Sequence, residues 1–551
     1  MEDNILQNSM IWRGLSALML FIHRMWEKST ICRFFAFIKY HYKDSLTNLL
    51  WLKFCEVEDT TALSFYGRFM NRLRSLLFRT GNVIQNSFFY RIVIWIRNFY
   101  FRIVKGSLIF TWINKLSLHQ WLLVIFAFYL PIEYVIRDVF SIGILASVWE
   151  ELFILVSLII ILWRRALRQT EAIQRETPLD GYIILFMAVG LLLMSAVNPY
   201  PAVAYAGYRA VVEYMVWFFL LIRLIEDDKD FKVVYYTFIS MVVLLCLHGI
   251  YQYIIAVPIP SSWVTHTEMG VRTRVFSLTG SPNIFGSLIV MTAPMVAAMI
   301  YYSNKIWKKI FFFCITGIMC LCLLFTFSRG AWVGMVLAVI LFALFVDRRL
   351  LGLMGAAIAG VLVFVPSITS RLTYLFTSDY AEASAIGGRA IRWETGRMLL
   401  MENNPWLGFG LGRFGGAVAM NNKLLDETEE FSYFYMDNYY LKTMVEMGYI
   451  GIFFFILLLL GLVIWGIRAI HQSGFGYKMV SENSAMLNKK DPLIRAIGNP
   501  RVMAAGIFTG QCGVLVHCYF ENIFEEPYMM AYFWGLAAML MYLGFIRKEC
   551  T

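Results

Sequence analysis

Arginines are the residues of this chain whose type and position most clearly indicate chemistry. Several lie in polar segments between long apolar stretches: Arg272, Arg274, Arg329, Arg389 and Arg392. A guanidinium group forms paired hydrogen bonds with phosphate oxygens and stabilises negative charge. The set therefore indicates a site for a phosphate-bearing substrate. The alternative for each arginine is a side chain that extends along the membrane surface to reach lipid headgroups.

One acid, Asp437, lies where a long polar segment meets an apolar run. Asn438 follows it, and after nine further residues come Gly448 and Gly451. A carboxylate at this position could accept a proton from a substrate hydroxyl. It could also be an acid that the dipole of a helix start favours.

The segment from Arg274 to Asn283 also combines polar groups with a helix start. Gly280 and Pro282 predict a turn, and Asn283 is expected to cap a helix that begins near Ile284. The amino terminus of such a helix favours phosphate binding. A capped surface loop without a ligand is the alternative.

Two further charged groups lie at the ends of apolar runs. Arg329 lies in a turn and is followed by Gly330 and Gly334. An ionisable residue at a membrane edge indicates a functional site, whereas the glycine spacing predicts close helix packing. Arg209 and Glu213 are four residues apart, which favours an ion pair on one helix face. Arg209 could instead face a cavity shared with the other arginines.

The remaining motifs predict no cofactor. Gly410, Gly412 and Gly415 match a G-x-G-x-x-G pattern, but no strand is predicted before it, so the glycines are expected to form a tight turn. The seven histidines show no metal-ligand spacing. No nucleotide-binding or nucleic-acid-binding motif is found. We therefore expect no metal, no cofactor and no nucleic-acid partner.

The composition predicts that membrane-spanning helices carry these residues. Of the 551 residues, 59% are hydrophobic and 15% are charged, whereas soluble proteins have about 25% charged residues. Continuous apolar runs favour helices over a barrel. We predict an all-α membrane protein of about twelve spans, at residues 120–136, 146–163, 181–197, 206–225, 231–255, 284–302, 309–327, 330–347, 351–368, 439–467, 501–519 and 528–546.

The basic residues predict the topology. Residues 1–120 carry a net charge of +9, out of +11 for the whole chain. Every connection on the side of the amino terminus is basic, so both termini are predicted to be cytoplasmic. Residues 1–118 are predicted to form basic amphipathic helices on the inner leaflet, or a region that binds polysaccharide-assembly partners. Residues 119–551 form the polytopic domain, with a large external loop, 369–438, between spans 9 and 10.

Five motifs, taken in order, resemble the O-antigen ligase/polymerase superfamily of bacterial integral membrane glycosyltransferases. They are Arg274…Gly280-Ser-Pro282-Asn283, Ser328-Arg329-Gly330, Arg389…Trp393, Pro405-Trp-Leu-Gly408-Phe-Gly410-Leu-Gly412 and Asn438-Tyr-Tyr-Leu441…Gly448…Gly451. The resemblance covers about residues 120–546. It implies a GT-C-like all-helical fold with its active site on the periplasmic or extracellular side of the bacterial plasma (inner) membrane.

The resemblance also implies the substrates. The donor is a glycan on undecaprenyl diphosphate, the acceptor is another glycan or a glycolipid, and no metal or nucleotide takes part. The arginines that grip the diphosphate in this family correspond to Arg329 and Arg389. Further substrate-binding candidates are Arg274, Arg209, Arg272, Arg392, Asn283 and Asn438.

One position departs from the ligase pattern. Ligases carry a histidine, proposed as the general base for the acceptor hydroxyl, where this chain has Asp437. The difference favours a polymerase of polysaccharide repeats, of the O-antigen or teichuronic-acid kind, with Asp437 as the base. A ligase that transfers the glycan to lipid A core or another acceptor is the alternative. A transporter is a third possibility, which charges at the bilayer midplane and internal repeats would support.

Overall fold

A computed structural model describes residues 65–104, 115–140, 143–166, 176–258, 273–364, 389–422, 435–474 and 496–547, with a few isolated residues. These residues are almost entirely helical and contain no β-strand. Arg272 lies outside them, as do most of residues 1–64 and parts of the predicted external loop. Two helices precede the predicted polytopic domain: α1, Phe65–Gln85, and α2, Phe88–Val104.

Each of the twelve predicted segments overlaps helical structure among the described residues. The helices are α3 Leu118–Ala127, α4 Tyr129–Tyr134, α5 Gly143–Ala166, α6 Asp180–Val197, α7 Pro201–Val212, α8 Val216–Leu224, α9 Asp228–Ile255, α10 Pro282–Tyr302, α11 Ile306–Phe325, α12 Arg329–Phe345, α13 Arg349–Phe364, α14 Arg389–Glu402, α15 Ala417–Asn422, α16 Tyr439–Ser473, α17 Pro500–His517 and α18 Pro527–Met541. A 3₁₀ turn, Glu213–Met215, joins α7 to α8, and another, Ile523–Glu525, precedes α18.

Seven stretches of the described chain are long and apolar enough to cross a membrane. They are Asp180–Val197, Pro201–Leu224, Asp228–Ile255, Pro282–Tyr302, Ile306–Phe325, Tyr439–Ser473 and Pro527–Ile546. Three shorter apolar helices accompany them: α3, α12 and α13. The chain is thus an all-helical protein with several membrane-length helices. The number of twelve spans, the side of each loop and the GT-C-like arrangement stay predictions.

Helices α10 and α17 lie at the centre of the described helices. Nearly every residue of α10 is buried. Helix α17 approaches α12 so closely that a Cβ atom on Gly334 would lie 2.5 Å from the carbonyl oxygen of Gly513. A Cβ atom on Gly330 would lie 2.5 Å from the ring of His517. The predicted role of the Gly330–Gly334 spacing in close helix packing is confirmed.

Helix α16 is interrupted at Gly448, and part of the polar loop docks at the interruption. Gly448 has a φ of 66° and a ψ of −171°. Four backbone hydrogen bonds replace the helical ones: Phe409 N–H to Val445 C=O (2.7 Å), Gly410 N–H to Glu446 C=O (3.0 Å), Tyr449 N–H to Pro405 C=O (2.8 Å) and Ile450 N–H to Trp406 C=O (3.2 Å). The docked loop turns at Gly408, Gly410, Gly412 and Gly415, all with positive φ. The predicted tight turn is therefore confirmed.

Replacing Gly448 with alanine is expected to destabilise the protein by about 2 kcal/mol or more, because the residue has a positive φ and a Cβ atom would fall against the backbone of Trp406 and Gly408. Gly317→Ala is the matched control. Gly317 lies within α11 with nothing close to its Cβ position, so alanine there should be neutral or stabilising by about 0.5–1 kcal/mol. Thermal unfolding of both variants in detergent measures the difference. Equal midpoints would contradict the role assigned to Gly448.

Candidate active site

Asp437 lies at the centre of a group of hydrogen-bond donors. Its carboxylate is buried and accepts a hydrogen bond from Arg389 Nε at 2.6 Å and another from Trp393 Nε1 at 3.0 Å. A third donor group, Arg392 Nη2, lies 3.8 Å from the same carboxylate. The polar loop and the start of α16 thus meet in one ion pair between an acid and two arginines.

Helix α14 carries all three donors on one face. Arg389, Arg392 and Trp393 are separated by three and four residues, which aligns them on a helix. Further along the same face, α14 packs into a small apolar core, because Leu399 and Leu400 lie seven residues after Arg392 and Trp393. The buried members of this core are Leu399, Leu400, Phe409, Phe414, Met436, Leu441 and Val445. This packing fixes the rotation of α14 and turns the three donors toward Asp437. Arg389 and Arg392 thus share a helix face, whereas Arg397 pairs with Glu394 on the surface.

The backbone at the start of α16 holds Asp437 in place. The side-chain oxygen of Asn438 accepts a hydrogen bond from Leu441 N–H at 3.0 Å and so caps the helix. The N–H of Tyr439 donates to the carbonyl of Cys518 at 3.0 Å. The cap formed by Asn438 and the hydrogen bond of Tyr439 together position the acid next to the end of α17. Its predicted contact with substrate stays a prediction.

A second carboxylate, Glu521, lies beside Arg389. Arg389 Nη2 donates to the carbonyl of Phe520 at 2.9 Å, and the guanidinium acts electrostatically on Glu521. The carboxylate of Glu521 accepts a hydrogen bond from the Asn283 amide. Burial raises the pKa of Glu521, although Asn283 and Arg389 favour its charged form. The sequence showed Glu521 only as part of a short acidic link, and nothing in its spacing connects it to Arg389.

Asn283 extends the site to Arg274. Arg274 Nη2 donates to Asn283 Oδ1 at 3.2 Å, and Arg274 Nε donates to the carbonyl of Thr326 at 3.2 Å. Asn283 was expected to cap α10, and this expectation was wrong. The helix begins one residue earlier, at Pro282, because proline suits the first helical position, and Ser281 takes the cap position. The Asn283 side chain is thereby left to bridge Arg274 and Glu521.

Arg329 lies close to the Arg389 site, because the residue next to it packs against the end of α17. It is the first residue of α12, and a Cβ atom on the next residue, Gly330, would contact both His517 and Phe520. His517 is buried, and its ring nitrogens lie 2.6 Å from Ser287 Oγ and 3.5 Å from Ser328 Oγ. The turn that carries Arg329 therefore packs against the segment that binds Arg389.

A buried ion-pair network holds the part of the polar loop around Phe414 and Ala417 against α16 and the segment before α18. Lys442 Nζ lies 3.3 Å from Glu446 Oε2 and 3.0 Å from Glu525 Oε2. Glu525 also accepts a hydrogen bond from the Ala417 N–H at 2.7 Å, and Glu446 accepts one from Phe414 N–H at 3.1 Å. Burial opposes ionisation of Glu525, but Lys442 and the Ala417 amide hold its pKa below the usual value.

Arg209 lies in a different cluster. Its guanidinium pairs with Glu213 Oε2 at 2.9 Å and with Glu151 Oε1 at 2.8 Å. The predicted ion pair with Glu213 is confirmed. The described contacts give Arg209 no direct part in the group around Asp437, so its role as a helper for the donor stays a prediction.

One group of potential metal ligands occurs in the described part of the chain, at the start of α3 and α9. Ligand atoms of His119, Glu226 and Asp230 lie within 4.8 Å of one another. Each is already engaged: His119 Nε2 is 3.1 Å from Asp230 Oδ2, and Arg164 binds both oxygens of Glu226 at 2.8 and 2.9 Å. The geometry is that of an ion-pair network that ties three helices together.

The fold and the site define a polytopic, all-helical membrane protein with arginines gathered around carboxylates at one end of its helices. Residues 314–456 match the family model described as O-antigen ligase. This match confirms the predicted resemblance to the O-antigen ligase/polymerase superfamily. The matched region contains Arg329, Arg389, Asp437 and Gly448, whereas Glu521 lies beyond it. No curated protein matches the chain.

Proposed function

We propose that this protein polymerises polysaccharide repeat units. The donor is a glycan carried on undecaprenyl diphosphate, the acceptor is a second lipid-linked glycan, and transfer takes place on the outer face of the bacterial plasma membrane without a metal ion or nucleotide. The observation that carries the proposal is the contact between Arg389 and Asp437. It joins a group suited to binding diphosphate to a group suited to accepting a proton.

The donor's diphosphate is bound by arginines. The side chains of Arg389 and Arg392 are about one-third exposed (36% and 31%), so a ligand can reach them. Guanidinium groups match the oxygens of a diphosphate and stabilise the charge that it gains as the leaving group. Arg329 and Arg274 supply further positive charge from neighbouring turns, and Arg274 is oriented by Asn283.

Asp437 is the base, and the donor controls its availability. In the structure, Arg389 holds the Asp437 carboxylate, and an incoming diphosphate competes for the same guanidinium. A freed carboxylate oxygen accepts the proton of the acceptor hydroxyl while the hydroxyl oxygen forms a bond to the anomeric carbon. The bond from this carbon to the diphosphate oxygen breaks, and its electron pair remains on the diphosphate beside Arg389. The configuration at the anomeric carbon is inverted.

A ligase is the second candidate function, because the matching family model is described as O-antigen ligase. A ligase would use the same donor and the same arginines but a different acceptor, such as lipid A core. The aspartate at position 437, where ligases carry histidine, favours the polymerase.

The length of cell-surface glycan in a deletion strain separates the two functions. If the protein is the polymerase, deletion leaves single repeat units on the final acceptor. If it is a ligase, deletion leaves the acceptor bare while long lipid-linked glycan accumulates. Electrophoresis of the extracted glycolipids, with the wild-type gene restored on a plasmid as control, measures the outcome. A bare acceptor with accumulated polymer would contradict the polymerase proposal.

A further inference from the structure

Four glutamates and two arginines form a second charged group, here called the carboxylate cluster. Its members are Glu133, Arg137, Glu150, Glu151, Arg209 and Glu213. Arg137 pairs with Glu133 at 2.9 Å and with Glu150 at 3.3 Å. Glu150 also accepts a hydrogen bond from the hydroxyl of Tyr214 at 2.5 Å. The proposed transfer reaction uses none of these contacts.

Several polar atoms of the carboxylate cluster and of two aromatic residues next to it are buried without a hydrogen-bond partner among the described residues. They are the hydroxyl of Tyr129, the indole N–H of Trp149 and one carboxylate oxygen each of Glu133 and Glu151. Tyr129, Glu133 and Trp149 are at least nine-tenths buried. Tyr129 lies one helical turn before Glu133 on α4, and its ring packs against Trp149, the residue before Glu150. The charges of Glu150, Glu133 and Glu213 act on its hydroxyl. Buried polar groups are normally paired, so this concentration of unpaired atoms indicates a bound partner.

The chemistry of the cluster limits what that partner can be. Four carboxylates against two guanidinium groups repel a diphosphate, which excludes a second donor site. The unpaired carboxylate oxygens require hydrogen-bond donors, and the hydroxyl and indole groups add one group that can donate or accept and one that only donates. The aromatic rings of Tyr129 and Trp149, whose centroids are 4.6 Å apart, provide an apolar surface beside them. Hydroxyl and amino groups of a sugar satisfy these requirements.

The short segment between α17 and α18 connects the cluster to the candidate active site. Glu521, at the start of this segment, binds Asn283 beside Arg389. Glu526, at its end, interacts electrostatically with Arg137. Burial, with a contribution from Glu525, raises the pKa of Glu526 to about 7. Five residues of chain limit the distance between the Cα atoms of Glu521 and Glu526 to about 18 Å. A glycan of a few sugars can therefore contact both places.

We propose that the carboxylate cluster is a binding site for the acceptor glycan, which recognises uncharged or amino-bearing sugars through their hydroxyl and amino groups. The proposal rests on the proposed function, because it assigns the cluster to the acceptor of the same transfer reaction. It also gives Arg209 a role, which is to orient Glu151 and Glu213 for the acceptor.

Tyr129→Phe is the variant that tests the acceptor site, because it removes one unpaired hydroxyl and breaks no ion pair. The probe is the repeat-unit oligosaccharide released from the strain's own surface polysaccharide, titrated calorimetrically into the purified full-length protein without donor. Loss of one buried hydrogen bond should raise the Kd about five- to tenfold. The thermal midpoint of the variant without oligosaccharide should stay the same or rise, because no hydrogen bond within the protein is lost.

Tyr205→Phe is the matched control. Tyr205 lies on α7 with an exposed side chain. The Kd of Tyr205→Phe for the oligosaccharide should equal that of the wild type. An unchanged Kd in Tyr129→Phe would overturn the acceptor site, as would a lower thermal midpoint, which would show that the hydroxyl has a structural partner. Titration without donor keeps this test separate from the reaction. If Tyr129→Phe raised the Kd as expected but the wild-type protein failed to lengthen lipid-linked repeats, the polymerase would be contradicted and the glycan site would not.

Discussion

Replacing Asp437 with asparagine is expected to lower the rate of glycan chain extension by about 10³-fold, within the range known for removal of a general base. Asparagine has nearly the same shape, and its carbonyl can still accept a hydrogen bond from Trp393. It cannot take up the proton of the acceptor hydroxyl. The KM for the lipid-linked donor should stay the same or fall, because the arginines remain and a charged carboxylate no longer competes with the diphosphate for Arg389. Initial rates with purified protein and labelled lipid-linked repeats measure both quantities.

Glu394→Gln is the control for this substitution. Glu394 lies on α14, close to the site in sequence, but its side chain is exposed and pairs with Arg397. The control should keep the wild-type rate and membrane content. If Asp437→Asn extended chains at the wild-type rate, Asp437 would not be the base.

The second large effect is expected at Arg389. Arg389→Ala should reduce kcat/KM for the donor by about 10²- to 10³-fold, because it removes a charge-assisted contact to the leaving diphosphate. Arg389→Lys should restore only part of the loss, since an ammonium group keeps the charge but lacks the planar pair of donors. Steady-state kinetics at varied donor concentration separate the loss of binding from the loss of turnover.

Arg397→Ala serves as the control, because Arg397 is an exposed arginine on the same helix. It should leave both kinetic constants unchanged. Arg389 and Asp437 act as a unit, so the double variant should lose less than the sum of the two single losses. Additive losses would show that the contact at 2.6 Å between them has no part in the reaction.

Local sequence patterns predicted the elements and the nearest contacts. Long apolar runs correctly predicted an all-helical protein with several membrane-length helices. The spacing of four residues correctly predicted the ion pair of Arg209 with Glu213. The glycine-rich segment was correctly expected to be a turn. These features depend on residues close together in the chain, where helical periodicity determines which side chains meet.

The contacts that build the site could not be predicted in this way. Asn283 and Glu521 are 238 residues apart, and Arg389 reaches the carbonyl of Phe520 across 131 residues. Such contacts depend on how the helices pack. Gly448 and Gly451 were recognised only as a motif, and the structure supplies the reason for Gly448. The helix must open there so that the loop from Pro405 to Gly410 can exchange hydrogen bonds with it.

The most direct test of the central claim uses purified protein in lipid vesicles, supplied only with undecaprenyl-diphosphate-linked repeat units. Mass spectrometry of the lipid-linked products gives their lengths over time. We predict a ladder of products that differ by one repeat, formed without metal ions or nucleotides and absent with Asp437→Asn. Products that remain one repeat long, and are transferred only when a second acceptor such as lipid A core is added, would contradict the polymerase and establish the ligase.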